Sequence, residues 1–189
     1  MANSTRSQDK RQRLVESATT LFFEQGAHPT TLAEIAERAG VPLGNVYYYF
    51  KTKEELVGAV LESRAAEARG ILESLEQKRT PQARLKALAQ RWADQSEYAA
   101  RYGCPIGSLC SELEKNPGTT LGAKTEAPFA LIIDWAEDQF RQLGRGDARD
   151  LAFSLLARIQ GASLLAQTFR EPAVLTREAK LIDRWIDSL

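Results

Sequence analysis

An all-α fold of about nine helices is predicted by three features of the chain. Apolar residues recur at helical spacing throughout, no stretch sustains the period-two alternation of a half-buried strand, and Gly and Pro stand between the periodic segments as stops and starts. With 43% apolar residues among 189, there is ample material for a buried core.

The first helix is expected from about Gln8 to Gln25, with Leu14, Ala18, Leu21 and Phe22 on one stripe and Gly26 as its stop. Thr31 opens the second. Glu34, three residues on, completes a capping box in which hydroxyl and carboxylate satisfy each other's orphan amides, and Gly40 ends the helix. Pro42 is tolerated near the start of a third helix carrying Val46, Tyr47 and Phe50, and Thr52 with Glu55 repeats the capping box for a fourth, about Lys53 to Gln77. Thr80-Pro81 starts a fifth that ends near Tyr102-Gly103. Cys104-Pro105 starts a short sixth running to about Lys115, where Asn116-Pro117-Gly118 breaks it. Three more helices fit Leu121–Leu143, Asp147–Phe169 and Leu175–Ser188, parted by Gly144-Arg145-Gly146 and by Glu171-Pro172.

Charge is balanced at 25 basic and 25 acidic residues, so affinity for a polyanion has to come from local placement. Residues 1–53 carry seven Lys/Arg against five Asp/Glu, and four of those cations, Arg6, Lys10, Arg11 and Arg13, gather with only Asp9 at the start of the first helix. Such a group suits a phosphate backbone, although a solvated helix start reads the same way.

The segment TLAEIAERAGVPLGNVYYYFKTKEEL, beginning at Thr31, folds two short helices around Ala39-Gly40-Val41. Glycine allows the sharp turn, small Ala36 allows close approach, and the second helix is then free to enter a major groove. Ile35, Val41 and Val46 supply its interior, which leaves Leu43, Gly44, Asn45, Tyr48 and Tyr49 for the surface. Three adjacent tyrosines are hard to explain as core.

On these residues the chain closely resembles the TetR family of bacterial regulators over roughly residues 8–60: the cap threonines, the Ala-Gly-Val turn, Gly44, Tyr47, Phe50 and Lys53 fall where that family's DNA-binding pattern has them. The resemblance implies a homodimer on double-stranded operator DNA. It implies that Thr31 and Tyr49 contact phosphate, that Lys53 anchors the fourth helix to the backbone, and that Leu43, Gly44, Asn45, Tyr47 and Tyr48 face bases or phosphates. The chemistry agrees: lysine gives salt-sensitive attraction, tyrosine a hydroxyl and a ring for thymine methyl groups, and asparagine a partner for adenine. One departure is Pro42 where many members cap the recognition helix with serine.

The resemblance further implies that the last two helices pair with those of a second copy, placing Leu155, Ile159, Ala162 and Leu165 at the dimer interface, unless residues this apolar are intrachain core. It implies a ligand cavity for a small-molecule inducer, with Trp92, Tyr98, Tyr102, Phe129, Ile133 and Trp135 as candidate lining; an aromatic stripe is also ordinary core. Cys104 stands at a helix cap before Pro105, where unpaired amides and the helix dipole stabilise a thiolate, with Arg101 nearby. The surrounding YGCPIGSL resembles a TetR subgroup that includes the electrophile regulator NemR, which makes Cys104 a candidate sensor of electrophiles; the alternative is a small buried residue capping a turn. Cys110 lies six residues on, turned roughly 120° away on a helix, so no disulfide joins the pair within it.

The expected organisation is a helix-turn-helix DNA-binding domain over 1–52 and a helical ligand-sensing and dimerisation domain over 53–189. Neither a signal peptide nor a membrane span is legible, which implies the cytoplasm and reduced thiols. A single histidine and no phosphate loop, nucleophile set or metal-ligand cluster argue against an enzyme and against a metal or cofactor. The function expected is a repressor released from a palindromic operator by an inducer or by modification of Cys104. The alternative is a helical adaptor without sequence-specific DNA binding.

Overall fold

A computed structural model of the chain describes residues 2–115, 121 and 123–189, with the side chains of 2–7 and 123 left aside. The Asn116-Pro117-Gly118 break and the Arg6 side chain lie outside the described residues. The secondary structure described is all helical: α1 (Ala2–Gln25), α2 (Leu32–Ala39), α3 (Leu43–Tyr49), α4 (Lys53–Leu75), α5 (Pro81–Ala93), α6 (Ser96–Tyr102), α7 (Pro105–Glu114), α8 (Ala123–Gln142), α9 (Ala148–Phe169) and α10 (Ala173–Asp187).

The all-α class is as expected. The described helices number ten because the segment 81–102 divides. Asp94 N–H bonds to Gln90 O, the next amide, of Gln95, turns back to Trp92 O at 3.1 Å, and α6 restarts at Ser96. That tightening to a three-residue spacing ends α5 with neither Gly nor Pro at the junction, so composition carries no sign of it.

The chain packs as two compact units. The first comprises residues 1–65 and 108–127, and its core joins Leu14, Ala18 and Phe22 of α1 to Ile35, Val46, Leu56 and Val60, with Leu109 and Leu113 of α7 and Leu121. The expected division at residue 52 follows the chain, whereas these units follow space: α7, far along the sequence, contributes to the same core as α1 to α3.

The second unit comprises residues 66–107 and 128–189. Its core gathers Leu85 and Leu88 of α5, Ile132, Ala136 and Phe140 of α8, Leu155 and Ile159 of α9, and Ile182 and Ile186 of α10. A smaller cluster sets Ala99 and Ala100 of α6 against Ala162 and Ala166 of α9 and Leu175 of α10. At the half-buried end of α8, Glu137 accepts from Arg149 at 2.7 Å and also pairs with Arg141, which compensates a nearly buried carboxylate.

Candidate nucleic-acid interface

Local chemistry builds the helix-turn-helix. Thr31 caps α2 in extended conformation, its Oγ1 accepting from Glu34 N–H at 3.2 Å, while Glu34 Oε2 accepts from Thr31 N–H at 2.7 Å. The expected capping box is therefore closed in both directions. Its hydrogen bonds to Thr31 hold the exposed Glu34 carboxyl below the ordinary carboxylate range. At the other end Gly40 adopts φ 60°, ψ 38°, the left-handed region open to glycine at little cost, and the chain turns into α3 with Val41 N–H bonded back to Ala36 O at 2.9 Å.

Pro42 is the first-turn cap of α3 and supplies no side-chain acceptor, so the serine cap of other family members is omitted here and not replaced. The helix is held by packing instead: Val46 is fully buried against the unit's core. Its outer face then presents Leu43 (44% exposed), Gly44, Asn45, Tyr47 (49%) and Tyr48 (74%) to solvent. Gly44 has nothing within 4 Å of where a Cβ would stand, so it offers backbone to an approaching surface.

Tyr49 differs from its neighbours. Expected on the surface, it is half-buried against the core, its ring edge-on to Tyr48 at 5.1 Å. Helical rotation explains this: with Val46 directed inward, the residue three positions on shares its side of so short a helix. Lys51 closes the C-terminal end, its Nζ donating to Tyr47 O at 2.8 Å.

The second capping box is displaced by one residue. Thr52 Oγ1 accepts from Glu55 N–H at 3.1 Å as expected, but the Glu55 carboxylate takes the amide of Lys51, at 2.7 Å, in place of that of Thr52. The basic start of α1 flanks the same surface: the Arg11 guanidinium stands 5.0 Å over the Phe50 ring, and Arg13 is the side chain nearest Gly40.

Lys53 sits at the electropositive N-terminal end of α4, an adverse place for a cation. Its Nζ donates to His28 O in the α1–α2 turn at 2.8 Å. Partial burial lowers the ammonium's pKa, and the carboxylates of Glu112 and Glu34 pull in the opposite direction. Glu112 of α7 also accepts the backbone amides of Ala27, at 2.8 Å, and His28. Sequence reasoning missed both the His28 carbonyl, 25 residues from Lys53, and Glu112, 84 and 85 residues from the amides it accepts; such separations leave no local signal.

The remaining candidates lie in the second unit. Leu155, Ile159 and Ala162 are buried in the chain's own core and are not available to a second copy. A helix apolar on nearly every side does not reveal which side faces inward, and the exposed face of α9 carries Phe153, Leu164 and Leu165. Of the candidate cavity lining, Trp92, Phe129 and Ile133 pack with the core; Trp135 does too and its indole N–H donates to Glu76 at 2.6 Å. Tyr98 is 65% exposed, its ring 6.2 Å from that of Tyr102, so it stands on the surface and does not line an enclosed cavity. Among the described residues, open clefts of about 520 and 550 Å³ are lined by other residues, one by Arg11, Tyr49 and Glu62, the other by Ile71, Leu75 and Ala87. Cys104 is buried, and its Sγ accepts the Gly107 amide at 3.5 Å, the cap position expected; both cysteines are free thiols.

No helix among the described residues is long and apolar enough to cross a membrane. Residues 14–60 match the bacterial regulatory proteins of the tetR family, and residues 81–181 match the C-terminal domain of LmrA/YxaF-like transcriptional regulators. The transcriptional regulator LmrA of Bacillus subtilis is 31% identical over 180 residues, which span 88% of this chain and 91% of that protein. TtgR of Pseudomonas putida is 46% identical, but over 57 residues, only 30% of this chain and 27% of TtgR, so that likeness covers a small part of either chain. The reduced form of Escherichia coli NemR superposes with a TM-score of 0.79 over 92% of this chain and 95% of NemR at 22% identity, a likeness of fold alone that does not single out the NemR subgroup. With caps, turn and exposed α3 face in place, the chain belongs to the TetR family of helix-turn-helix DNA-binding transcriptional regulators, not of enzymes, and carries an LmrA/YxaF-like C-terminal domain.

Proposed function

We propose that this regulator is a repressor that binds a palindromic double-stranded operator as a homodimer in the cytoplasm and is released by a small-molecule inducer. The observation that carries the reading is the α3 face: Leu43, Gly44, Asn45, Tyr47 and Tyr48 stand exposed on a helix whose inner face, at Val46, is locked into the core. In this reading those five face bases or phosphates, Thr31 and the Tyr49 hydroxyl take phosphate oxygens, and Lys53 anchors α4 to the backbone. Residues 1–52, joined by Lys53 at the start of α4, do the binding, and the rest of 53–189 does the sensing and pairing. One helix of seven residues covers few base pairs, so a second copy at a two-fold-related half-site multiplies its energy. The exposed α9 face at Phe153, Leu164 and Leu165 is the natural surface for that pairing.

Release follows if the inducer prefers a conformation whose recognition helices no longer match the half-site spacing. Genomic footprinting of the purified protein tests the reading. A palindromic site whose affinity falls steeply with salt is expected; binding that is weak, sequence-indifferent and insensitive to salt would instead fit an adaptor.

A second route to release is modification of Cys104, favoured by its sulfur standing at the α7 cap and accepting the Gly107 amide, which favours a thiolate there. Its burial favours the inducer over this route, since an electrophile has to reach the thiol. Cys104→Ser separates them: under the thiol route the variant still binds DNA and no longer responds to a quinone or aldehyde.

A further inference from the structure

We propose that Glu112 of α7 is a positioning residue for DNA binding, clamping the α1–α2 turn and through it holding Lys53 where a phosphate can reach it; this rests on Lys53 being the backbone anchor proposed above. The two oxygens of the Glu112 carboxylate accept from successive amides, Oε2 from Ala27 N–H at 2.8 Å and Oε1 from His28 N–H, and the His28 carbonyl accepts the Lys53 ammonium at 2.8 Å. Glu112 makes no direct bond to Lys53 here. It acts through the turn.

Each part of the turn fits that role. Gly26, at φ 92°, turns the two amides toward α7, and a Cβ there would stand 3.2 Å from Glu112 Oε2, so glycine both bends the chain and leaves room for the carboxylate. Ala27 is buried, which denies its amide an easy water partner and makes the acceptor from α7 necessary. The helix that carries Glu112 is itself fixed in the unit: Leu109 and Leu113 enter the core, and Cys110 Sγ donates to Thr125 O at 3.0 Å.

A carboxylate offers an acceptor oxygen to each amide, which the carboxamide of glutamine, with one oxygen and one NH₂ group, does not. The carboxylate also adds negative charge beside an ammonium that is partly desolvated and set at the wrong end of a helix dipole, which offsets part of the cost of holding a cation there. A shift of α7 that withdraws Glu112 therefore loosens the turn and frees Lys53 together. The Lys53 ammonium has three protons, and the His28 carbonyl uses one, which leaves donors for a phosphate oxygen.

The test is a double-mutant cycle on the full-length protein, with the duplex that wild type selects in footprinting as probe. Glu112→Gln keeps the side chain's size but sets an NH₂ group against one of the backbone amides. Lys53→Ala alone is expected to make the slope of log affinity against log salt shallower by about two per dimer, because each protomer then neutralises one phosphate fewer. Glu112→Gln is expected to lose most of that same slope and to speed hydrogen exchange at Ala27 and His28. Lys53→Ala added to it then costs less than about a third of its effect in wild type. Equal effects of Lys53→Ala in both backgrounds, or a wild-type slope in Glu112→Gln, overturn the proposal and leave the operator reading standing. Failure of wild type to select any duplex overturns both. If Glu112→Gln does not fold, Gly26→Ala, which presses on the same carboxylate, replaces it in the cycle and is read by the same criteria.

Discussion

Glu34 Oε2 lies 2.7 Å from both the amide and the hydroxyl of Thr31, so one exposed carboxylate and one threonine close the first turn of α2 on each other. Thr31→Ala removes the cap and leaves the Glu34 amide without its acceptor, and is expected to cost about 1 kcal/mol of stability. Thermal unfolding of the pair of proteins at neutral pH measures it. A pH signature accompanies the loss. Because the Glu34 carboxyl is held below its ordinary range in the folded protein, its contribution is complete above the unfolded group's titration and disappears as pH falls through the lowered folded value. The gap between wild type and Thr31→Ala should therefore narrow in acid. A gap that widens on acidification would contradict the box.

Gly40 is the second local determinant of the motif. Its φ of 60° is the reason for glycine, since a Cβ there would meet only an Arg13 nitrogen, 3.9 Å away. Gly40→Ala should thus incur backbone strain alone, about 1 kcal/mol, and Gly40→Asn less, because asparagine tolerates the left-handed region. Chemical denaturation with an unchanged m-value is the expected form of the result.

Tyr48 and Lys53 separate what binds DNA from what holds the fold. Tyr48 is 74% exposed, so Tyr48→Ala should leave the melting temperature within a degree or two of wild type, about the effect of a surface change, while weakening operator binding at least tenfold. Lys53→Ala should weaken binding to specific and unrelated duplexes alike, whereas Asn45→Ala should relax preference at one base pair. Competition binding with a panel of single-base operator variants distinguishes the two patterns; a Lys53→Ala variant that alters base preference would speak against a phosphate role.

How much of this was legible in the sequence depends on how far apart the partners are. Caps, the turn glycine and the inward Val46 are contacts among residues a few positions apart, and the type and order of residues from Thr31 to Thr52 anticipate them closely. Even there the carboxylate of Glu55 reaches Lys51 and not Thr52, because a flexible side chain can choose between adjacent amides. The α5–α6 break is invisible because Asp94-Gln95 is compatible with a continuous helix and only the hydrogen bonds show the tightening. Glu112 could not be found at all: one of two glutamates on a short helix, it has nothing in its sequence neighbourhood to tie it to Ala27.

The clearest case is α9, where periodicity located the helix but left open whether its apolar residues face a second copy or the chain's own core; Leu155, Ile159 and Ala162 lie in that core, Leu165 is exposed, and the last prediction turns on that difference. Leu155 and Ile159 are buried with Phe140 and Ile182, so Leu155→Ala opens a cavity in the chain's own core and should cost about 2–5 kcal/mol in stability without a specific effect on association. Leu164 is 62% exposed and Leu165 is exposed beside it, and no atom stands within 4 Å of a Cβ placed on Gly161, so this face is open to close approach by another helix. If two copies pair here, each leucine covered contributes roughly half of the about 1.5–3 kcal/mol of a fully exposed leucine, and charged replacements must be desolvated in its stead. The variant carrying both Leu164→Glu and Leu165→Glu is therefore expected to keep its helical content, to sediment as a monomer, and to lose operator affinity far more than any single contact on α3 would explain, since two half-sites no longer act together. A dimer that survives in this variant would move the pairing surface elsewhere on the chain.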